Sequence, residues 1–202
     1  MQATDVSRSL LAIFATCLIA GCTGAKQNPA DSAKEAIKRG TELASQGKTD
    51  EAIYEFGEAI KVDPHAAMAF NNRGLMYSRQ KKFRQALLDF NSAIGLDPRY
   101  AGAYVNRGNA EDELQMIAQA KEDYDRAIAL NPRISAAYVN RALEYSRVGQ
   151  MERAVADYSS ALELDPNDGQ IYSFRANAYE KMGQTQEAQQ DRAKAASLAP
   201  HR

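Results

Sequence analysis

Apolar residues recur along most of the chain with the spacing of an amphipathic helix. From Ala33 onward they return at intervals of three, four and seven positions, which places them on one face of a helix. Each periodic segment is roughly 14 residues long, a usual length for helices in globular proteins. The segments come in pairs, and the break inside each pair falls at one of five residues: Gly47, Lys81, Gln115, Gly149 and Gly183. The pattern therefore predicts an all-α chain of helical hairpins.

Proline interrupts this series at a constant interval. The residues that follow the second helix of each pair are 34 positions apart: Pro64, Pro98, Pro132, Pro166 and Pro200. Proline lacks the backbone N–H that a helix interior needs, so each is expected to end a helix. A fixed period of this length is the signature of a repeat protein. Aligned on proline, the chain divides into five repeats at 33–66, 67–100, 101–134, 135–168 and 169–202.

The aligned repeats also place residues of similar size in the same columns. Three columns hold only glycine or alanine: Gly40, Gly74, Gly108, Ala142, Ala176; Ala52, Ala86, Ala120, Ala154, Ala188; and Ala59, Ala93, Ala127, Ala161, Ala195. Two columns are mainly aromatic: Phe70, Tyr104, Tyr138, Tyr172; and Phe56, Phe90, Tyr124, Tyr158. Small side chains let two helices approach closely, and large ones fill the space beside them. Since one hairpin cannot bury such a face alone, the hairpins are expected to stack.

This arrangement of aromatic, small and proline positions resembles the tetratricopeptide repeat. The resemblance runs through five consecutive repeats from Ala33 to the C-terminus. It implies a right-handed α-solenoid in which the first helices of the hairpins line a concave face. It further implies a non-catalytic scaffold that binds a partner protein or an extended peptide on that face.

The first 30 residues differ in character from the repeats. An apolar run at 10–20 follows Arg8, is too short to span a bilayer, and has the length of a signal-peptide core. The run ends in Ile19-Ala20-Gly21-Cys22, which resembles a bacterial lipobox. The resemblance implies that residues 1–21 are a cleaved lipoprotein signal peptide and that residues 22–30 are a lipidated cysteine and a flexible tether. An ordinary signal peptide and an uncleaved N-terminal anchor remain the alternatives.

A lipid such as palmitate on Cys22 would attach the protein to a membrane of the bacterial cell envelope. In lipoproteins of this kind, aspartate after the cysteine favours the inner membrane. Here the residue is Thr23, which favours the outer membrane with the repeats facing the periplasm. Cys17 would leave with the signal peptide, so the mature protein would have no thiol for a disulfide or a thiolate zinc site.

Asparagine recurs on the first helices, where the resemblance places the concave face. One column contains Asn72, Asn106 and Asn140, and nearby positions add Asn71, Asn109 and Asn177. A carboxamide both donates and accepts hydrogen bonds, so it can bind the main chain of a peptide without selecting a sequence. Lys38 and Phe174 occupy the column in repeats one and five, which limits the ladder to the central repeats. The alternative is that these asparagines serve helix packing.

Two charged columns extend through all five repeats. One is basic, at a position usually apolar in the family: Arg39, Arg73, Arg107, Arg141 and Arg175. The other is acidic: Glu55, Asp89, Asp123, Asp157 and Asp191. The two positions are equally far from the turn of the hairpin, so they can meet across it or between neighbouring repeats. This pattern predicts a structural ion ladder. An arginine-lined site for an acidic ligand is the weaker alternative, because each arginine has a carboxylate in its own repeat.

Repeat three departs from the others at two positions. Glu111 stands in a column of tyrosine and leucine, and Lys121 in a column that is mostly aliphatic. Three interpretations stay open: the two side chains pair with each other, they mark a weaker point in the stack, or they contact a partner.

Charge and composition narrow the classes of function. The formal net charge of −1 argues against nucleic-acid binding, which depends on neutralising phosphates. Neither His65 nor His201 belongs to a nucleophilic or metal-binding constellation, so we expect no enzyme activity, metal, cofactor or small-molecule substrate. Ile37 and Thr41 replace members of the family's carboxylate clamp, which argues against binding of a chaperone's acidic C-terminus.

Two functions remain for such a scaffold. The first is an adaptor anchored to the envelope, and the alternative is an assembly factor for an envelope machine such as a pilus or secretion apparatus. Gln189 and Arg192 give the last helix a polar outer face, which suits the end of a stack. A homodimer formed through that end is compatible with the sequence but is not required by it.

Overall fold

The computed structural model describes residues 28–198, and every regular element in that range is an α-helix. The first helices of the five pairs are α1 (Pro29–Ser45), α3 (Ala67–Arg79), α5 (Ala101–Glu113), α7 (Ser135–Arg147) and α9 (Gly169–Lys181). The second helices are α2 (Thr49–Val62), α4 (Phe83–Leu96), α6 (Ile117–Leu130), α8 (Met151–Leu164) and α10 (Thr185–Leu198). The prediction of an all-α chain of five helical hairpins is confirmed.

Helix α1 begins earlier than the repeat pattern indicates. The side chain of Asn28 accepts a hydrogen bond from the backbone N–H of Ala30 at 3.2 Å, and Pro29 occupies the first turn. An asparagine cap followed by proline is a favoured helix start, because proline has no N–H to leave unpaired there. Pro29 and Ala30, which were assigned to the tether, are therefore helical. The predicted signal peptide, Cys22 and the rest of the tether lie outside the described residues.

The turn inside each hairpin has a left-handed residue at the predicted position. Gly47, Gly149 and Gly183 have φ values of 76°, 78° and 75°, a conformation that costs glycine little. Lys81 and Gln115 adopt the same region, at 58° and 61°, although it is disfavoured for residues with a Cβ atom. Backbone hydrogen bonds close these two turns as they close the glycine turns: the N–H of Lys82 donates to Tyr77 and that of Met116 donates to Glu111.

The aspartate or asparagine that precedes the proline stabilises the turn between two hairpins. The side chains of Asp63, Asp97 and Asn131 each accept a hydrogen bond from the backbone N–H two residues later, at 2.9, 2.9 and 3.0 Å. This is the local bond by which aspartate and asparagine stabilise turns. With the proline in between, it ends the second helix and directs the chain into the next repeat.

The core consists of alanine columns packed around one large ring in each of the first four repeats. The most completely buried large side chains are Phe56, Phe90, Tyr124 and Tyr158. Gly108 allows helix α5 to approach the ring of Tyr124, because a Cβ atom at Gly108 would lie only 2.7 Å from Cε1 of that ring. Each ring thus fixes the distance between the two helices of its hairpin.

The stack is curved, with the first helices on its inner side. Each second helix packs against the first helix of the next repeat, as a neighbour-on-neighbour solenoid requires. In addition, α1 touches α3, α3 touches α5 and α5 touches α7, whereas no two second helices in the described chain approach comparably. Within residues 28–198, none of the helices has both the length and the apolar character needed to cross a bilayer.

Candidate functional site

The inner side of the stack carries a groove that crosses three first helices. We call it the central groove and define it by Asn109 and Glu113 on α5, Asn140 and Leu143 on α7, and Phe174 and Asn177 on α9. A hollow of about 350 Å³ lies between α5 and α7, and one of about 500 Å³ lies between α7 and α9. A third hollow of about 170 Å³ lies beside Phe174 and Asn177. Leu143 lines all three, so the hollows adjoin one another along the inner side of the stack.

Two of the predicted asparagines meet at the centre of this groove. Nδ2 of Asn140 donates to Oδ1 of Asn109 at 2.6 Å, and the hydroxyl of Tyr124 donates to the same oxygen at 3.0 Å. These two donors fix the orientation of the Asn109 amide, with its nitrogen directed away from them. Within residues 28–198, Nδ2 of Asn109 donates no hydrogen bond and Oδ1 of Asn140 accepts none. A donor and an acceptor are therefore available side by side.

The asparagines of repeat two are arranged differently from the expectation. Asn71, expected at the concave face, is only 4% exposed. It donates to Oδ1 of Asn72 at 3.2 Å and accepts from Nδ2 of Asn106 at 2.8 Å. Asn71 is thus an internal link between α3 and α5, and it holds Asn72 and Asn106 by hydrogen bonds. The packing interpretation therefore describes Asn71 better than the binding interpretation.

The far end of the central groove is more apolar. Phe174 packs partly against the core cluster around Tyr158, and the two rings lie 6.0 Å apart. Asn177 is exposed beside it, and Lys181 lines the same hollow. In the sequence, Phe174 only interrupts the asparagine column. The structure places it as an apolar wall between two of the hollows.

Each arginine of the predicted ion ladder lies next to the acidic residue of its own repeat. Arg73, Arg107, Arg141 and Arg175 each make two hydrogen bonds to the aspartate sixteen residues later, at 2.6 to 2.8 Å. Arg39 contacts Glu55 at 2.8 and 2.9 Å but is half exposed. These hydrogen bonds raise the pKa of all five guanidinium groups, although burial lowers it in part.

Three of these arginines also reach the preceding repeat. Arg107 donates to Asn91, Arg141 to Asp125 and Arg175 to Ser159, at 2.7, 2.7 and 2.9 Å. Each guanidinium therefore joins its own two helices to the second helix of the repeat before it. Because hydrogen bonds occupy both edges of the guanidinium group, these side chains hold the stack together and have no free edge for an acidic ligand.

Glu111 and Lys121 do not pair with each other. Nζ of Lys121 lies 3.2 Å from Asp125 and above the ring of Tyr145, 5.9 Å from its centre. Glu111 is buried beside Arg107, with 4.0 Å between the nearest atoms. Desolvation and the charge of Asp123 raise the pKa of Glu111 to about 7. Of the junctions between repeats, the one between α6 and α7 is packed least closely, in agreement with a weaker point at Lys121.

A second buried carboxyl was not singled out by the sequence. Glu144 on α7 is almost completely buried and lies 3.1 Å from Arg147, which also contacts Asp112 on α5. Burial, followed by the charge of Asp112, raises the pKa of Glu144. Its column holds both acidic and apolar residues in the other repeats, so no repeat pattern indicated its burial.

The described residues offer no metal centre. Within residues 28–198, no three histidine, cysteine, aspartate or glutamate side chains are grouped so that they could hold a metal ion. His65 is exposed in the loop between α2 and α3, while His201 lies outside the described residues.

Comparisons of the sequence with protein families cover most of the described chain. Models described as tetratricopeptide repeat match residues 67–100 and 135–168, residues 101–134 and residues 158–190. A model described as TPR repeat matches residues 40–81. Together the matches run without a gap from residue 40 to residue 190. No curated protein matches the chain.

Solved structures show the same stacked architecture. The crystal structure of MamA protein is 25% identical, covers 83% of this chain and 92% of its own, and has a TM-score of 0.71. PilF of Pseudomonas aeruginosa is 19% identical with a TM-score of 0.80, covers 87% of this chain and 80% of its own, and shows the fold alone. The first TPR of Spaghetti (RPAP3), bound to the HSP90 peptide SRMEEVD, is 33% identical, covers 59% of this chain and 94% of its own, and has a TM-score of 0.58.

Proposed function

Because the chain belongs to the tetratricopeptide-repeat family, we propose that it is a non-catalytic scaffold that binds an extended segment of a partner protein in the central groove. The observation that carries this proposal is the row of adjoining hollows along α5, α7 and α9. It offers one free amide donor and one free amide acceptor next to the apolar surfaces of Leu143 and Phe174.

The chemistry of the central groove suits a main chain better than a compact ligand. A peptide backbone presents alternating N–H and C=O groups, which match the free Nδ2 of Asn109 and the free Oδ1 of Asn140. Apolar side chains of the same segment would fill the hollows beside Leu143 and Phe174. A peptide-bound structure among the similar proteins supports a peptide as the ligand. Its acidic ligand is not expected here, because Ile37 and Thr41 replace members of the carboxylate clamp.

Photo-crosslinking from the groove should identify the partner. A photoreactive amino acid at Gln170, which is exposed and lines the hollow between α7 and α9, is expected to crosslink to a protein in intact cells. The same amino acid at Leu88, which is exposed on a second helix, is the control and should give no specific product. Crosslinks that form only at Leu88 would contradict a groove-bound partner.

The crosslinked segment then allows a quantitative test with variants of the central groove. Asn140→Ala combined with Phe174→Ala should weaken binding of the corresponding peptide by at least about tenfold, because it removes a hydrogen bond and an apolar contact. Leu88→Ala combined with Glu163→Ala changes exposed residues of second helices and should leave affinity unchanged. Circular dichroism should show the same helicity in both variants. Equal affinity of the two variants would exclude the central groove as the binding site.

We also propose that the scaffold is anchored to the bacterial envelope through lipid on Cys22, with the repeats in the periplasm. The support is the sequence Ile19-Ala20-Gly21-Cys22 after an apolar run. Cells grown with labelled palmitate should incorporate the label into the wild-type protein and not into Cys22→Ser, which should appear in the soluble fraction. Cys17→Ser is the matched control and should keep both the label and the membrane association. Label in Cys22→Ser would contradict the assignment.

An assembly factor for a pilus or secretion apparatus is the second candidate. Its support is the similarity of fold to PilF of Pseudomonas aeruginosa. The crosslinking experiment separates the two candidates: subunits of an envelope machine favour an assembly factor, whereas a soluble hydrolase or synthase favours an adaptor.

A further inference from the structure

Repeat three lacks an aromatic ring that covers the ladder arginine in three other repeats. Tyr77, Tyr145 and Tyr179 each face the arginine of their own first helix, with the ring centres 6.0, 5.9 and 5.7 Å from the guanidinium carbon. In repeat three this position is Glu111. A hollow of about 640 Å³ lies beside it, which we call the α5–α6 hollow, lined among others by Tyr104, Arg107, Glu111, Glu122, Asp123 and Arg126. It shares no residue with the central groove.

The carboxyl group of Glu111 is incompletely paired inside this hollow. Glu111 is 8% exposed, and its Oε2 has no hydrogen-bond partner within the described chain. The nearest cation is Arg107, whose Nε lies 4.0 Å from Oε1 of Glu111. That guanidinium already makes its bonds to Asp123 and Asn91. A buried carboxylate without a donor is unfavourable, so Glu111 would be stabilised by an incoming group that donates to its carboxyl group where it borders the hollow.

The other charges that line the hollow do not satisfy Glu111. Asp123 is held by Arg107, and Asp125 is held by Lys121 and Arg141. Glu122 and Arg126 are exposed at the rim. The hollow therefore contains four carboxylates and two guanidinium groups, and Glu111 is the buried carboxylate among them with an unpaired oxygen. Such a site favours a cation that brings its own hydrogen-bond donors.

We propose that the α5–α6 hollow binds a primary alkylammonium group, with the ammonium against the carboxyl group of Glu111. A metal ion fits poorly, because no group of three potential ligands is assembled within the described residues. A guanidinium prefers two free oxygens for its planar fork, whereas Oε2 of Glu111 is enclosed and Arg107 lies 4.0 Å from Oε1. An ammonium carries three rotatable donors on a flexible chain, which can lie where the tyrosine ring lies in other repeats. The ammonium would come from a lysine side chain of a partner protein.

Protons compete with the ammonium for Glu111. Burial and the neighbouring carboxylates Asp123 and Glu122 raise its pKa to about 7, while Arg107 opposes them. Below that pH the carboxyl group is protonated and offers no charge to a cation. Affinity for an alkylammonium should therefore increase from about pH 5.5 to about pH 8, where Glu111 is ionised and the amine still carries its proton.

Thermal unfolding of the full chain with n-butylammonium chloride tests the proposal, because a ligand of the folded state raises the midpoint temperature. We expect a rise at about pH 8 that exceeds the effect of sodium chloride or n-butanol and disappears at about pH 5.5. Glu111→Gln keeps the hollow but removes its charge, and should weaken binding by at least about tenfold. Glu111→Tyr fills the hollow with the residue of repeats two, four and five and should abolish binding.

Glu163→Gln is the matched control, since Glu163 is an exposed carboxylate on α8 that lies outside the hollow, and it should bind like the wild type. The proposal would be overturned if n-butylammonium raised the midpoint temperature of Glu111→Gln as much as that of the wild type. It would also be overturned if the midpoint rose equally at both pH values, or if it did not rise in the wild type. Nα-acetyl-lysine methylamide and spermidine distinguish the two possible origins of the ammonium group. Tighter binding of the lysine derivative supports a lysine side chain of a partner protein. Tighter binding of spermidine would overturn that origin in favour of a free polyamine. These results are independent of the crosslinks from the central groove, so either proposal can fail alone.

Discussion

Replacement of Arg141 by alanine should lower the free energy of unfolding by about 3 to 5 kcal/mol, the usual loss when one partner of a buried ion pair is removed. Arg141 makes two hydrogen bonds of 2.7 Å to Asp157 and a third to Asp125. Asp157 is buried, so without the guanidinium its charge would remain in the core without compensation. Arg141 also lies between the rings of Tyr138 and Tyr145, and that packing would be lost as well.

Urea denaturation followed by circular dichroism measures this loss, and the first repeat supplies the matched control. Arg39→Ala removes the equivalent pair with Glu55, but the arginine side chain there is 49% exposed. Its loss should cost less than about 1 kcal/mol, as for surface ion pairs in general. Arg141→Met combined with Asp157→Leu replaces the pair by apolar side chains and should recover most of the stability. If Arg141→Ala were no more destabilising than Arg39→Ala, the ladder would not hold the stack together.

Replacement of Phe90 by alanine should cost a similar amount, about 3 to 5 kcal/mol, by leaving a cavity. Phe90 is fully buried and packs with Ala86, Ala110 and Leu75, which belong to three different helices. Its ring also lies against Gly74, where an added Cβ atom would be 2.7 Å away. The cavity would therefore loosen both the second hairpin and its junction with the third.

Leu88→Ala is the control for this prediction, because Leu88 lies on the same helix and is 68% exposed. Its effect on the unfolding free energy should stay within about 0.5 kcal/mol. Hydrogen exchange should show the extra opening of Phe90→Ala concentrated in α3, α4 and α5, since stability in a stacked repeat protein depends on each repeat and its neighbours. A loss spread evenly over all ten helices would contradict that local origin.

Arg141→Ala and Phe90→Ala should also affect binding, because the stack positions the helices of the central groove. The rings of Tyr124 and Tyr158 hold α5 and α7 within their hairpins, and Arg141 and Arg175 tie α7 and α9 to the preceding repeat. The asparagines and apolar walls of the groove come from different repeats, so their spacing depends on these contacts. A loss of binding in Arg141→Ala without loss of helicity would show that the ladder positions the groove.

The sequence by itself determined the helices, their pairing and the ladder. These follow from local rules: apolar spacing selects a helix, proline and a left-handed residue end it, and the turn places Arg107 opposite Asp123 within one hairpin. Even the turns at Lys81 and Gln115, which lack glycine, lie where the repeat pattern put them. The apolar spacing and the turns recur in all five repeats, so the pattern of each repeat supports the prediction made from the next.

Only the tertiary structure decided which side chains meet between repeats. It buried Asn71 between α3 and α5, paired Asn140 with Asn109, and directed Lys121 to Asp125 instead of Glu111. It also buried Glu144 and opened the hollow beside Glu111. The physical reason is that these contacts depend on the rotation and distance between neighbouring hairpins. That geometry is set jointly by the packing of all the side chains at a junction, and the residue pattern of any one helix does not contain it.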